Sequence, residues 1–367
     1  MSDPAFPPAG AILTIDLGAL VANWRRIAAT VAPAHASAVV KADAYGLGAD
    51  RVVPALVEAG CRHFFVAHLS EALAIRDSVP QEALLAVLNG LPPHAEAAAA
   101  DAGITPVLNS LGQARRWQAE AQAQGRALPA ILQVDTGMSR HGLMPDEVAP
   151  LAQDAAFRAA VPLHAVMSHL ACSDEPEHPE NAAALARFEA LAALLPDVPR
   201  CFANSGGVLL GQAYHGDIVR PGIALYGGRA DDGRAQPFAA VVTLEARVIQ
   251  TRTVEAGTGV GYGQIWHAPR PTQLATLSIG YADGFPRSLS GCGAVWAQGA
   301  LLPIVGRVSM DVTVVDVTAL PEGALAEGDL VEVIGPHRPL HQVAVEAGTI
   351  DYEILTQLGR RYERRYV

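Results

Sequence analysis

Ser37-Ala-Val-Val40-Lys41-Ala-Asp-Ala-Tyr45-Gly-Leu-Gly48 is a short apolar run of β-type residues that stops abruptly at a lysine and a glycine-rich turn. The same arrangement recurs down the first two thirds of the chain. Apolar runs at 63–67, 84–88, 105–108, 130–134, 163–167, 200–203 and 217–219 alternate with alanine-rich helical patterns at 70–77, 94–102, 110–124 and 180–195. Such alternation marks βαβ units, and eight strands of this kind predict an α/β fold built on a (β/α)8 barrel of the TIM type. Ahead of the first run, Asp16 is placed to cap a helix on which Leu17, Leu20, Val21, Trp24, Ile27, Ala28 and Val31 form a core-facing stripe.

Past residue 236 the texture changes. Strand-like stretches at 241–252, 273–278, 293–296, 303–305, 312–317 and 330–334 are separated by Gly and Pro turns, and helical periodicity returns only over 343–362. At 367 residues the chain exceeds what one core usually serves. The expected division is a barrel over 1–236 and a mainly β C-terminal domain over 237–367, joined near 234–238. Residues 11–15 have no barrel role and are a candidate strand of the second sheet.

Half of the residues are hydrophobic and 17% are charged, which suits a globular core. A formal net charge of −11 opposes binding to a phosphate backbone, so nucleic acid is not an expected partner. The basic run Arg360, Arg361, Arg364, Arg365 reads as a solvated helix end. Cys61, Cys172, Cys201 and Cys292 stand far apart with no metal-ligand spacing, which fits a reduced cytoplasmic protein with no metal. The first ten residues read as Pro-rich coil rather than a signal peptide, and the uncharged stretch 288–306 is broken by Gly and Pro, so no membrane association is expected.

In such barrels the reactive groups sit just past the C-terminal ends of the strands. Several runs here end in residues fit for chemistry: Lys41, Asp135 to Gly142, Ser168-His169, Asn204-Ser205-Gly206-Gly207 and Arg220-Pro221-Gly222-Ile223. A lysine at a strand end is ordinarily a snorkelling surface residue. With its stem desolvated it lowers its pKa, as Schiff-base chemistry requires. Glycines after the seventh and eighth strands occupy the loops where such barrels bind phosphate, although either turn alone would be ordinary. His169 by itself reads more readily as a satisfied core histidine.

These residues resemble a known family. Val39-Val-Lys41-Ala-Asp-Ala-Tyr45-Gly-Leu-Gly is similar to the pyridoxal 5'-phosphate attachment motif of alanine racemases. The likeness continues through Asp135-Thr-Gly-Met-Ser-Arg140, His169-Leu-Ala-Cys-Ser-Asp-Glu175, Asn204-Ser205, Arg220-Pro-Gly-Ile-Ala-Leu-Tyr226-Gly, Gly261-Tyr262-Gly263, Ile279-Gly-Tyr281-Ala-Asp-Gly284, Gly306-Arg-Val-Ser-Met310-Asp311 and Tyr352-Glu353.

The resemblance implies racemisation of L- and D-alanine by two bases on opposite faces of the α-carbon. Lys41, which holds the cofactor, would be one base, and Tyr262 from the partner subunit of a homodimer the other. Tyr45, Ser205, Gly222, Ile223 and Tyr352 match phosphate-binding positions. Arg220 matches the arginine at the pyridine nitrogen, His169 the residue against the ring, and Arg140 the one near the phenolic oxygen. Met310, also in trans, matches a backbone contact to the substrate carboxylate. Biosynthetic and catabolic roles for D-alanine, a peptidoglycan precursor, both stay open.

Three positions depart from the family pattern. Gln133 stands where many members carry a carbamylated lysine that supports Arg140, Ser309 where cysteine is frequent, and Leu47 where histidine is frequent. They leave a serine or broad-specificity racemase as an alternative. A decarboxylase would want an acid opposite the pyridine nitrogen, where Arg220 stands. A non-catalytic cofactor-binding barrel would have no use for the Tyr262 and Met310 segments.

Overall fold

The computed structural model describes residues 9–231 and 238–367. The expected junction at 234–238, all but Phe238, lies outside the described residues, as does most of the coil expected over the first ten. The described chain opens with strand β1 (Ala11–Ile15) and the helix Leu17–Val31. Asp16 Oδ1 accepts the Ala19 N–H at 2.7 Å, which caps that helix, and Leu20, Trp24, Ile27 and Val31 are buried along it.

Nine parallel strand segments follow: β2 (His35–Ala36), β3 (Ala38–Val39), β4 (His63–Val66), β5 (Leu84–Val87), β6 (Thr105–Leu108), β7 (Ala130–Gln133), β8 (Leu163–Met167), β9 (Arg200–Asn204) and β10 (Ile218–Arg220). Their order is β2-β10-β9-β8-β7-β6-β5-β4-β3. The segments β2 and β3 are two halves of one barrel strand interrupted at Ser37. One half pairs with β10 and the other with β4, and this closes the ring of eight. Ser37 N–H bonds to Val219 O (3.1 Å) and Val39 N–H to Pro221 O (3.0 Å) on one side; Val40 N–H bonds to Phe65 O (2.9 Å) on the other. Because helices cover a parallel barrel and side chains fill it, its strands are buried on both faces; every residue of β6 and of β7 is buried.

The described residues form two compact units: the barrel, spanning Leu20–Leu225, and a mainly β unit that takes in β1 together with Ala239–Val367. The second unit contains β11 (Val242–Val254), β12 (Gly259–Val260), β13 (Trp266–His267), β14 (Thr272–Leu277), β15 (Ala294–Ala297), β16 (Ala300–Pro303), β17 (Thr313–Asp316), β18 (Leu330–Ile334) and β19 (Glu363–Tyr366). Its main path runs β16-β15-β18-β11-β1-β19, and β14 joins β11 to β17. Val242, Leu244, Ala246 and Val248 are buried along β11 while the residues between them are only partly covered, the alternation of a one-sided sheet.

Three sequence expectations are corrected here. The helical pattern over 343–362 is two short helices, Leu340–Ala347 and Asp351–Gln357, because Gly348 (φ 72°) ends the first in a left-handed cap. The arginine run does not end a helix; Arg364 and Arg365 lie in β19, which pairs in parallel with β1 at Leu13 and Thr14. Charged side chains on an edge strand discourage pairing with another chain. The strand placed at 303–305 in fact spans Ala300–Pro303, because the two-residue Gln298-Gly299 turn, both at positive φ, sets the register of the β15–β16 hairpin.

Candidate active site

The site grows from the end of β3. After Val40, the residues Ala42, Asp43, Ala44 and Tyr45 all have φ between 52° and 57°, a full left-handed turn made without glycine. Each such residue costs about 1–2 kcal/mol, so the surroundings must hold the turn in place. Glu71 does much of this: its Oε1 accepts the Ala42 N–H at 2.7 Å, while its Oε2 accepts Ala67 N–H (2.7 Å) and His68 N–H (3.0 Å) at the end of the neighbouring strand β4. Asp43 Oδ1 takes the Ala49 N–H at 2.8 Å and so fastens the far side. Lys41 and Tyr45 stand at the two ends of this turn.

Lys41 has its pKa lowered from the ordinary lysine range. Burial is the largest cause; the Arg140 and Arg220 guanidinium groups add to it, and the Glu71 carboxylate opposes it. The consequence is an amine that sheds its proton more readily than a surface lysine and can act as a nucleophile.

Behind it, the buried Arg220 at the end of β10 is held almost wholly by main-chain acceptors. Its Nη1 donates to Cys201 O (2.7 Å) and Sγ (3.0 Å), and its Nη2 donates to Ser168 O (2.6 Å) and Phe202 O (3.3 Å). No carboxylate is among these partners, so its charge is left to act on its surroundings. His169 Nδ1 lies 3.4 Å from Arg220 Nη2. Burial first, then the Arg220, Arg140 and Lys41 charges, pull the His169 pKa down to about 3, so this ring stays neutral.

The loops after β9 and β10 form a cradle for an anion. Asn204 Oδ1 accepts the Gly207 N–H at 2.8 Å and caps the short helix Ser205–Leu210. The buried Ser205 Oγ meets Gly222 N–H at 2.9 Å and Ala224 N–H at 3.3 Å, which ties the two loops together. The N–H groups of Gly206 and Ile223, both buried, bond to no described residue. Such orphan donors suit phosphate oxygens. Gly222 is required by closeness: a Cβ there would overlap the Tyr45 hydroxyl and stand 3.0 Å from Tyr45 Cζ. A buried serine, free amides, a tyrosine hydroxyl and a nearby lysine of lowered pKa fit a phosphate ester that also carries an aldehyde.

The structure therefore brings Lys41, Tyr45, His169, Ser205, Arg220, Gly222 and Ile223 to one mouth of the barrel. Arg140 belongs to the same mouth, close enough to depress both Lys41 and His169. Its loop is shaped by Asp135 Oδ1, which accepts the N–H groups of Gly137, Met138 and Ser139 at 2.9–3.2 Å. Gln133 is buried at the end of β7, and its side-chain amide bonds to no described residue. Tyr262, Met310 and Tyr352 lie in the β unit. Tyr262 stands between Gly261 and Gly263, both at positive φ, with 73% of its surface exposed. Among the described residues no group of three His, Cys, Asp or Glu side chains is arranged to hold a metal.

Two contributors escaped the sequence. Glu71 carried one weak signal, its place at the third position of a helix, where a carboxylate reaches back to amides at the start. Cys201 carried none, because its contact with Arg220 runs between strands.

Comparison with known proteins converges on one family. The family model described as the alanine racemase N-terminal domain matches residues 15–230, and that of the alanine racemase C-terminal domain matches residues 241–366. "Alanine racemase, catabolic" from Agrobacterium fabrum is 54% identical over 97% of this chain and 92% of its own length. An alanine racemase from Brucella canis is 52% identical over 98% and 94%. The crystal structure of alanine racemase from Bartonella henselae with covalently bound pyridoxal phosphate superposes with a TM-score of 0.95 at 48% identity, covering 98% of this chain and all of that one.

Proposed function

This chain belongs to the alanine racemase family, and on that premise we propose that it interconverts L- and D-alanine with pyridoxal 5'-phosphate attached to Lys41. The observation that carries the reading is the left-handed turn, which sets a lysine of lowered pKa at one end and the Tyr45 hydroxyl of the anion cradle at the other. When bound, the cofactor supplies an electron sink for the charge left on the α-carbon as its proton departs.

The remaining work falls to side chains of this protein. Ser205, Gly222, Ile223 and Tyr45 would hold the phosphate, with Tyr352 in support. Lys41 exchanges a proton with one face of the α-carbon. Tyr262 of a second copy serves the other face; its ring is held out into solvent on a two-glycine turn, as a residue that completes another protomer's site would be. Arg220 offers only guanidinium N–H donors, so it would face the ring nitrogen as a hydrogen-bond donor rather than as an acid. That keeps the electron sink weak and disfavours transamination. His169 would stand neutral against the ring, Arg140 would hold the phenolic oxygen, and the Met310 N–H would take the substrate carboxylate.

The active form is a homodimer with shared sites, and the protein works in the cytoplasm. No helix among the described residues is long and apolar enough to cross a membrane. The catabolic designation of the Agrobacterium relative favours consumption of alanine over supply of D-alanine for peptidoglycan.

Incubating the purified protein with a panel of L-amino acids, and following each D-enantiomer, tests the reading. D-Alanine is expected to form fastest; Lys41→Ala abolishes it and Tyr262→Phe cuts it by roughly a hundredfold or more, the scale of one acid/base group. Faster turnover of serine would move the assignment to a racemase of other specificity, in keeping with Ser309 and Leu47. A fully active monomer would end the shared-site proposal.

A further inference from the structure

Arg361, one of the C-terminal arginines, joins two carboxylates. Its Nε lies 2.6 Å from Asp283 Oδ1 and its Nη2 2.8 Å from Asp283 Oδ2, a two-pronged pair, and its Nη1 reaches Asp311 Oδ1 at 2.7 Å. Asp283 is buried and doubly used: its Oδ2 also accepts the Gly280 N–H at 2.9 Å, and its carbonyl accepts the Tyr362 hydroxyl at 2.6 Å. Arg361 thus bridges the Gly280–Asp283 turn and the loop that carries Met310.

The turn and the loop are stitched together by main chain as well. Tyr281 N–H donates to Ser309 O (3.0 Å), Ala282 N–H donates to Met310 O (2.9 Å), and Ser309 N–H closes on Val312 O (3.0 Å). Gly280 lies so close that a Cβ there would overlap the carbonyl oxygens of Ser309 and Met310. The Met310 carbonyl is pinned, while its N–H bonds to no described residue.

We propose that Arg361 is a positioning residue that fixes the Met310 N–H for the substrate carboxylate, acting through the Asp283 turn and through Asp311. This rests on the racemase reading, in which Met310 contributes that contact. A half-exposed ion pair adds little to stability by itself. The planar fork of arginine, shared between two carboxylates, instead fixes an angle and a distance that a point charge cannot.

The test compares Arg361→Gln, Arg361→Lys and Gly280→Ala with Arg365→Gln, a control whose ion pair with Glu363 is exposed on both sides. Arg361→Gln is expected to raise KM for both alanine enantiomers roughly tenfold with kcat within about twofold, the pattern of lost ground-state binding. Lysine at 361 restores charge without the fork and is expected to recover only part of that loss. Gly280→Ala, which pushes on the loop from the other side, raises KM as well. Hydrogen exchange gives a readout independent of turnover: the Tyr281 and Ala282 amides exchange faster in Arg361→Gln and are unchanged in Arg365→Gln.

Wild-type KM in Arg361→Gln overturns the proposal. So does a fall in kcat alone that tracks a loss of folded protein, which marks a merely structural role. If the wild-type protein racemises no alanine, the functional reading fails by itself, and unchanged exchange at Tyr281 and Ala282 would then sink the positioning role separately.

Discussion

Replacing Glu71 with glutamine separates two jobs of one carboxylate. In the structure Oε1 and Oε2 accept three amide hydrogens, and the bond to Ala42 is the one that steadies the left-handed turn. A hydrogen bond to a charged group contributes about 1.5–3 kcal/mol. Glutamine keeps its one acceptor towards Ala67 and His68 and turns an NH2 group towards the Ala42 amide, so one such bond is lost and two donors come to face each other. If bound cofactor must then restore the turn, its dissociation constant rises by roughly 10- to 150-fold, each tenfold being about 1.4 kcal/mol.

The electrostatic effect has the opposite sense. The Glu71 carboxylate raises the Lys41 pKa against burial and the two arginines, so its removal lowers that pKa further. Attachment to Lys41 should then become weaker at every pH while its midpoint moves to lower pH. Spectral titration of apoprotein with pyridoxal phosphate across about pH 6 to 10 reads both quantities, the range being set by the lysine pKa. Unaltered affinity would show that the turn stands without Glu71, and a midpoint shifted upward would contradict the sign of the charge effect.

Gly222→Ala forces a methyl group into the Tyr45 hydroxyl at an overpacking cost of about 1–3 kcal/mol, and equilibrium dialysis is expected to show cofactor affinity down roughly tenfold with the fold intact. His63 is held neutral in the fold by burial and by the neighbouring His35 and His164, with its pKa down at about 4 against an ordinary 6.5. Unfolded chains therefore bind a proton that the native state refuses: the stability present above pH 6.5 drains away as the pH falls to about 4. His63→Asn should flatten the fall in urea midpoint across that window. Arg338 is only 1% exposed and pairs with Glu346, Nη1 lying 2.9 Å from Oε1; Glu346→Ala strands the buried guanidinium and should cost about 3 kcal/mol in denaturant unfolding.

What the residues disclosed in advance follows their physics. Barrel strands such as Thr105–Leu108 and Ala130–Gln133 are legible because a parallel strand buried on both faces must be continuously apolar. The β15–β16 hairpin is displaced by one to three residues from its expected strands because its register is set by two turn residues, not by its apolar content. Arg364 and Arg365 misled because charged residues near a chain end satisfy a helix end and an edge strand equally well. At the site, strand-end position alone pointed to Lys41, Arg220 and the Ser205 and Gly222 loops. The left-handed course of Ala42 to Tyr45 was invisible, since no glycine announces it, and so was the Glu71 brace, which depends on a contact 29 residues away. Arg361 and Asp283 are 78 residues apart, and no local pattern connects them.

In one sheet, β1 lies between β11 and β19, so Ala11–Ile15, near the start of the described chain, has Glu363–Tyr366 as a neighbour. A ribosome can release every barrel strand before either partner of β1 has been made, since β11 and β19 both follow the barrel in sequence. The sheet is therefore completed only once β19 has emerged, and a chain cut short before Glu363 would have an open edge beside Ile12 to Ile15, an invitation to pair with another nascent chain.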